Sequence, residues 1–228
     1  MGRGGFVLPY YAGEVKNQVV RRDEHFRWQS ERRIITGADL YPQARVRPLM
    51  TKASSRLGKQ LEEAIATLNG VGARFALIGG LALAPHKVVR ATQDVDLLVE
   101  AGLADAVDRA LTVIGYHCIH RSPDAANYLR DDQRLDFLYA HRPAAREILQ
   151  TAPQLNTPFG TVHVVSAEGL IAFKLQGWVN DPRRTQDLED IRALLRANRS
   201  TLRMDEVRRY FSLFNREPLL QEILNELK

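Results

Sequence analysis

Cysteine is almost absent from this chain: Cys118 is the only one among 228 residues. One thiol excludes a disulfide framework and every paired-cysteine zinc site, and the expected setting is a reducing cytoplasm. Long apolar runs are missing as well. No stretch approaches the roughly 18 apolar residues of a membrane-spanning helix, so no membrane partner is expected. The opening MGRGGFVLPYYAG has no signal-peptide core, and Phe6 stands where a myristoylation motif needs Ser or Thr. GxSxG, GxxxxGK[ST] and HExxH do not occur, which leaves hydrolase, P-loop and zincin chemistry without a motif. A basic surface is lacking too. The formal net charge is +5, but residues 1–50 hold 9 Lys and Arg against 5 Asp and Glu, while residues 51–228 hold 23 against 22. Most of the chain is therefore near neutral, without the footprint of a nucleic-acid binder.

What is present is ordinary globular material, 45% hydrophobic and 26% charged, enough for one sizeable core. Residues 1–50 have Gly and Pro breakers and no sustained period. We expect a weakly ordered extension there, with Met50 as an alternative start. A catalytic core is expected over 51–165 and a helical section over 166–228. Leu57, Leu61, Ala64, Ile65 and Leu68 share one helical face, with Gly70 as the stop. RFALIGG is a strand running into glycines, LALAPHKV a short helix broken at Pro85, and DVDLLVE the next strand. LADAVDRALTVIG is a helix. Strands are expected at 116–121, 126–131, 134–140 and in GTVHVVS, with a helix near 143–150. Ser166 opens a further helix, RTQDLEDIRALLRA is another, and two more flank Pro218. The order argues for an α/β or α+β core followed by helices.

The chemistry gathers in LIGGLALAPHKVVRATQDVDLLVE, residues 77–100. Strand alternation puts Asp94 and Asp96 on one face. Paired carboxylates repel unless a cation neutralises them, and an all-oxygen set suits Mg²⁺ together with substrate phosphates. Asp136, alone in the apolar run RLDFLYA, is a third candidate, with Arg134 or Arg130 as its structural partner. Gly79 and Gly80 sit between a strand and a helix start, where backbone N–H groups can approach a phosphate. Singly, a GG pair is a tight turn and a DxD a solvated edge. Their order points to metal-assisted phosphoryl or nucleotidyl transfer. His117, Cys118 and His120 do not read as a metal site, because 117 and 120 fall on opposite faces of a regular strand. Trp178 and the aromatics of YFSLF read as core.

The Gly79–Gly80 pair followed by Asp94-Val95-Asp96-Leu97 resembles the signature of the DNA polymerase β-type nucleotidyltransferase superfamily. The longer string with Arg90 and Thr92, and the later run VVSAEGLIAFKLQGWVNDPRRTQDLEDI, are most similar to the AbiEii/AbiGii toxin-like branch. The resemblance covers about residues 55–197. It implies a mixed sheet flanked by helices, a nucleoside triphosphate substrate and two Mg²⁺ ions held by Asp94, Asp96 and Asp136. Asp136 matches the carboxylate that helps activate the attacking hydroxyl. It also implies nucleotide contacts from Gly79, Gly80, Arg90, Thr92, Lys174 and Asp187. Many members carry Ser where Gly80 stands, so one hydroxyl contact to a terminal phosphate is missing.

Lys174, on an apolar helix face, either reaches the triphosphate as a point charge or snorkels. Removing it is expected to leave stability almost unchanged. Asp187 and Asp190, three apart, either hold Lys174 or pair with Arg183 and Arg184. The expected activity is transfer of a nucleoside monophosphate to an acceptor hydroxyl on RNA, protein or a small molecule. The branch adds a toxin role and a cognate antitoxin. The alternatives are a non-catalytic nucleotide-binding module of the same fold and an aminoglycoside-type antibiotic nucleotidyltransferase.

Overall fold

Helix α1 (Arg56–Gly70) begins at Ser55, whose Oγ accepts a hydrogen bond from the Gly58 N–H at 3.0 Å and so satisfies one of the free donors of the first turn. The computed structural model describes residues 55–157 and 160–227; the extension expected over residues 1–50 and the start at Met50 lie outside them. The apolar stripe of α1 buries Leu61, Ala64 and Leu68.

Five strands form a mixed sheet in the order β1-β2-β5-β4-β3. They are β1 (Phe75–Leu77), β2 (Val95–Glu100), β3 (His117–Arg121), β4 (Ala125–Arg130) and β5 (Gln133–Ala140). β2 runs parallel to β5 and antiparallel to β1, and the pairs β5–β4 and β4–β3 are antiparallel. The β2–β5 pairing is non-local, because α2 (Ala104–Val113), β3 and β4 intervene in sequence. Their apolar side chains alternate with the polar ones: Val95, Leu97, Leu135 and Phe137 are buried in the core.

Pro85 falls inside the segment after β1, which winds as a six-residue 3₁₀ helix (Leu81–His86) rather than an α-helix, and Lys87 ends it at φ 63°. Helix α3 (Pro143–Gln150) leads to β6 (Gln154–Thr157) and β7 (Gly160–His163), an antiparallel hairpin joined to β1 by a Leu77–Val164 bridge. The sequence pattern indicated β7 but not β6, whose exposed and half-buried residues carry no apolar alternation.

Helix α4 (Ala167–Asn180) is capped by Ser166 and is buried along most of its length, so it is apolar nearly all round. Helices α5 (Thr185–Ala197), α6 (Met204–Leu213) and α7 (Glu217–Glu226) close one side. Tyr210 and Phe211 of YFSLF are core residues, as expected. The buried apolar side chains make one cluster that runs from Leu61 through the sheet to Ile223.

The 3₁₀ helix is tied to this helical side. Asn198, 6% exposed, donates from Nδ2 to the His86 carbonyl at 2.9 Å and to the Leu194 carbonyl at 3.0 Å. Asn198→Ala leaves the half-buried His86 carbonyl without its donor. The expected cost is about 1–3 kcal/mol of unfolding free energy, measured by denaturant titration.

Candidate active site

β1 stops at Leu77, and the next residues turn under β2: the Ile78 N–H donates to the Asp96 carbonyl at 3.0 Å. Gly79 follows at φ +64°, a left-handed conformation that suits glycine. A Cβ on Gly79 would lie 2.0 Å from Asp96 Oδ2, so the Asp96 carboxylate occupies the space that a side chain would fill. A Cβ on Gly80 would meet Thr92 Oγ1 at 2.6 Å. The hydroxyl absent at position 80 thus has a near neighbour in Thr92. The six-residue 3₁₀ helix beyond Gly80 supplies little dipole, so the expected phosphate cradle rests on the glycine backbone rather than on a helix terminus.

Strand register aligns the acids. Asp96 is the direct partner of Asp136 across the parallel β2–β5 pair, and Asn127 is the partner of Asp136 across β5–β4. Asp94 lies one residue before β2, on the face of Asp96. Asp136 Oδ1 accepts from Arg134 Nε at 3.0 Å and from Asn127 Nδ2, while among the described residues Oδ2 accepts no hydrogen bond. Arg134 is thus the partner of Asp136; Arg130 instead bonds Glu63 and Gln133. Asn127, 1% exposed, escaped the sequence reading; its only signal was an amide inside the apolar run AANYLR.

Lys174 is buried, which corrects the snorkelling alternative. Its Nζ lies 3.0 Å from Asp187 Oδ1 and 2.7 Å from Asp190 Oδ2. Asp187 also takes Arg184 Nε at 2.6 Å, and Asp190 takes Arg90 Nε at 3.2 Å. Arg183 pairs with Asp181 instead. A Cβ on Gly177 would sit 2.7 Å from Asp187 Oδ2, so this glycine lets α5 approach α4 closely enough for the network to form. The network joins the Arg90 loop, α4 and α5 around one cation.

Electrostatics marks the same place. Burial, then the charges of Asp136 and Asp94, raise the Asp96 carboxyl to about 6, against the opposing pull of Lys174 and a hydrogen bond from the Gly80 backbone. Burial and Asp136 also push Asp94 up. All nine residues expected in the site (Gly79, Gly80, Arg90, Thr92, Asp94, Asp96, Asp136, Lys174 and Asp187) line one cleft of about 1340 Å³. Its walls carry five aspartates and five Lys or Arg.

Similar solved structures share this architecture. A solution structure of the antibiotic-resistance factor ANT(2'')-Ia superposes with a TM-score of 0.56 at 16% identity, covering 75% of this chain and 98% of that one. A crystal structure of ANT(2'')-Ia with adenylyl-2''-tobramycin gives 0.53 at 18% identity, covering 71% and 98%. The chain shares the fold of ANT(2'')-Ia. No protein-family model matches the sequence, and no curated protein matches it either.

The residues fit a hard divalent cation. The donors are carboxylate oxygens, and burial, with the charges of Asp136 and Asp94 added to it, raises Asp96. Among the described residues no three His, Cys, Asp or Glu side chains already form a metal cage. Two carboxylates with phosphate oxygens and water make a complete Mg²⁺ shell without one.

Two outcomes follow from this geometry. Lys174→Ala strands two buried carboxylates, so stability is expected to fall by about 3–5 kcal/mol in denaturant titration rather than stay unchanged. For Asp96 the folded carboxyl titrates near 6 and the unfolded one near 3.8. The folded state therefore holds the proton more tightly, and stability is lost as pH rises through this window. In EDTA, Asp96→Asn is expected to match the wild type in unfolding free energy near pH 3.5 and to exceed it by about 3 kcal/mol at pH 7, measured by denaturant titration.

Proposed function

We propose that the protein transfers a nucleoside monophosphate from a nucleoside triphosphate to the hydroxyl of a small acceptor, releasing pyrophosphate. One observation carries the reading: the pairing of Asp96 with Asp136 across parallel strands, directly above a glycine turn whose missing side chain leaves room for a carboxylate. The acceptor oxygen attacks the α-phosphorus and the bond from that phosphorus to the pyrophosphate oxygen breaks. Asp136, anchored through Oδ1, presents Oδ2 to receive the hydroxyl proton. Asp94 and Asp96 would hold Mg²⁺, which would supply charge neutralisation at the phosphates when bound. The backbone of Gly79 and Gly80 and the Thr92 hydroxyl face the leaving phosphates. Lys174 acts from behind Asp96 as a fixed positive charge, held in place by Asp187 and Asp190.

The balanced charge of the cleft favours a small acceptor over a polyanion. The likeness to ANT(2'')-Ia, solved with an adenylylated aminoglycoside, agrees with that choice. A toxin role rests on the AbiEii/AbiGii resemblance alone. The lysine and acid that this resemblance assigns, Lys174 and Asp187, are in contact at 3.0 Å.

The test is to incubate the protein with each labelled triphosphate, Mg²⁺ and either small-molecule acceptors, including tobramycin, or total RNA. We expect label on a small acceptor and none with Asp96→Asn. Magnesium-dependent stabilisation by nucleotide without any product would instead mark a binding module. Label on RNA, with growth arrest on expression that Asp96→Asn relieves, would favour the toxin.

A further inference from the structure

The edge strand β3 departs from regular pairing at one point. Its register against β4 shifts between Cys118 and His120: His117 faces Leu129 and Cys118 faces Tyr128, but His120, not Ile119, faces Asn127. Leu129 and Asn127 are two apart on β4 and share a face, so His117 and His120 share it too. This corrects the expectation that they point to opposite sides. A bulge of this kind re-aims a side chain, and here the re-aimed side chain is an imidazole that lines the catalytic cleft.

The register then reads straight across four strands: Asp96 on β2, Asp136 on β5, Asn127 on β4 and His120 on β3. One end of this row is the nucleotide end, because the Gly79–Gly80 turn lies against Asp96. In an in-line displacement the leaving and attacking oxygens stand on opposite sides of the phosphorus. With the leaving phosphates over the glycines, the attacking hydroxyl enters from the other end of the row. That end is His120.

We propose that His120 is the acceptor-binding residue of this site, aimed by the β3 bulge to hydrogen-bond a hydroxyl-bearing small molecule whose reactive oxygen lies over Asp136. The proposal rests on the nucleotidyl-transfer reading and adds where the acceptor sits and which residue selects it. Asn127 is too buried to touch the acceptor and serves the row by positioning Asp136. The acceptor therefore spans from β5 to the sheet edge, about 10 Å at the usual strand spacing. It meets an imidazole at the outer end and the apolar Leu138 and Ala125 beside it.

A tethered acceptor tests this without knowing the natural one. In the full-length protein, His120→Cys with Cys118→Ser is modified with a methanethiosulfonate carrying a hydroxyl-terminated diethylene glycol arm. The wild type, modified by the same reagent at its exposed Cys118, is the control; Cys118 pairs with Tyr128 and so belongs to the opposite face. Each of the four α-labelled triphosphates is added with Mg²⁺. The arm's hydroxyl oxygen should bond to the α-phosphorus as pyrophosphate leaves and the proton passes to Asp136. Mass spectrometry is expected to find nucleotide on the arm at position 120 at least tenfold above that at 118. Equal labelling at both positions, or none at 120 in a protein that a triphosphate with Mg²⁺ still stabilises, overturns the proposal. A wild type that no triphosphate stabilises overturns the nucleotidyl-transfer reading itself.

Discussion

Two carboxylates side by side in a parallel strand pair are the constraint around which the rest of the site is arranged. The register that sets Asp96 against Asp136 is fixed by the apolar alternation of both strands, since a one-residue slip would turn Leu97 and Phe137 out of the core. The repulsion therefore cannot be relieved by sliding. It is met locally instead. Gly79 makes room for the Asp96 carboxylate, Arg134 and Asn127 take up one oxygen of Asp136, and Lys174 opposes the charge from α4. What is left uncompensated is the raised affinity of Asp96 for a proton.

The Lys174 network shows how the helical section takes part. A lysine with two buried carboxylates contributes little net stability, because desolvation offsets attraction, yet losing one member is severe. Such a cluster fixes geometry more than it stabilises the fold. Here it fixes the Arg90 loop, which leads directly into Asp94, against α4 and α5. Gly177, one turn beyond Lys174 on α4, allows that approach. The strand that carries Asp96 and the C-terminal helices therefore share one core and one charge cluster.

Local periodicity made much of this legible in advance. Period two placed Asp94 and Asp96 on a common face, a lone acid in RLDFLYA marked Asp136, and Ser166 announced a helix start. The features that escaped are non-local. Nothing near Asn127 in sequence says that its neighbour across the strand is an acid. The burial of Lys174 depends on a helix thirteen residues away packing against it through a glycine. β6 has no apolar pattern because it pairs only with β7 at the margin of the fold. Each miss is a case of tertiary pairing deciding what local sequence left open.

The bulge in β3 is the sharpest of these cases, and its chemical effect follows from counting. Without the register shift, the pairing that joins His117 to Leu129 and Cys118 to Tyr128 would continue to Ile119 opposite Asn127. An apolar side chain would then end the row of polar groups, and His120 would turn to the far face. One extra residue exchanges Ile119 for His120 beside Asn127 and leaves Ile119 exposed at the sheet edge. An exposed isoleucine on an edge strand is a cost, since open edges invite pairing with other chains. The gain is an imidazole, able to donate and accept, at the mouth of a cleft whose other polar groups on this row are acids and a buried amide. The edge of the sheet is where such an exchange is possible, because a central strand would have to break two ladders to make it.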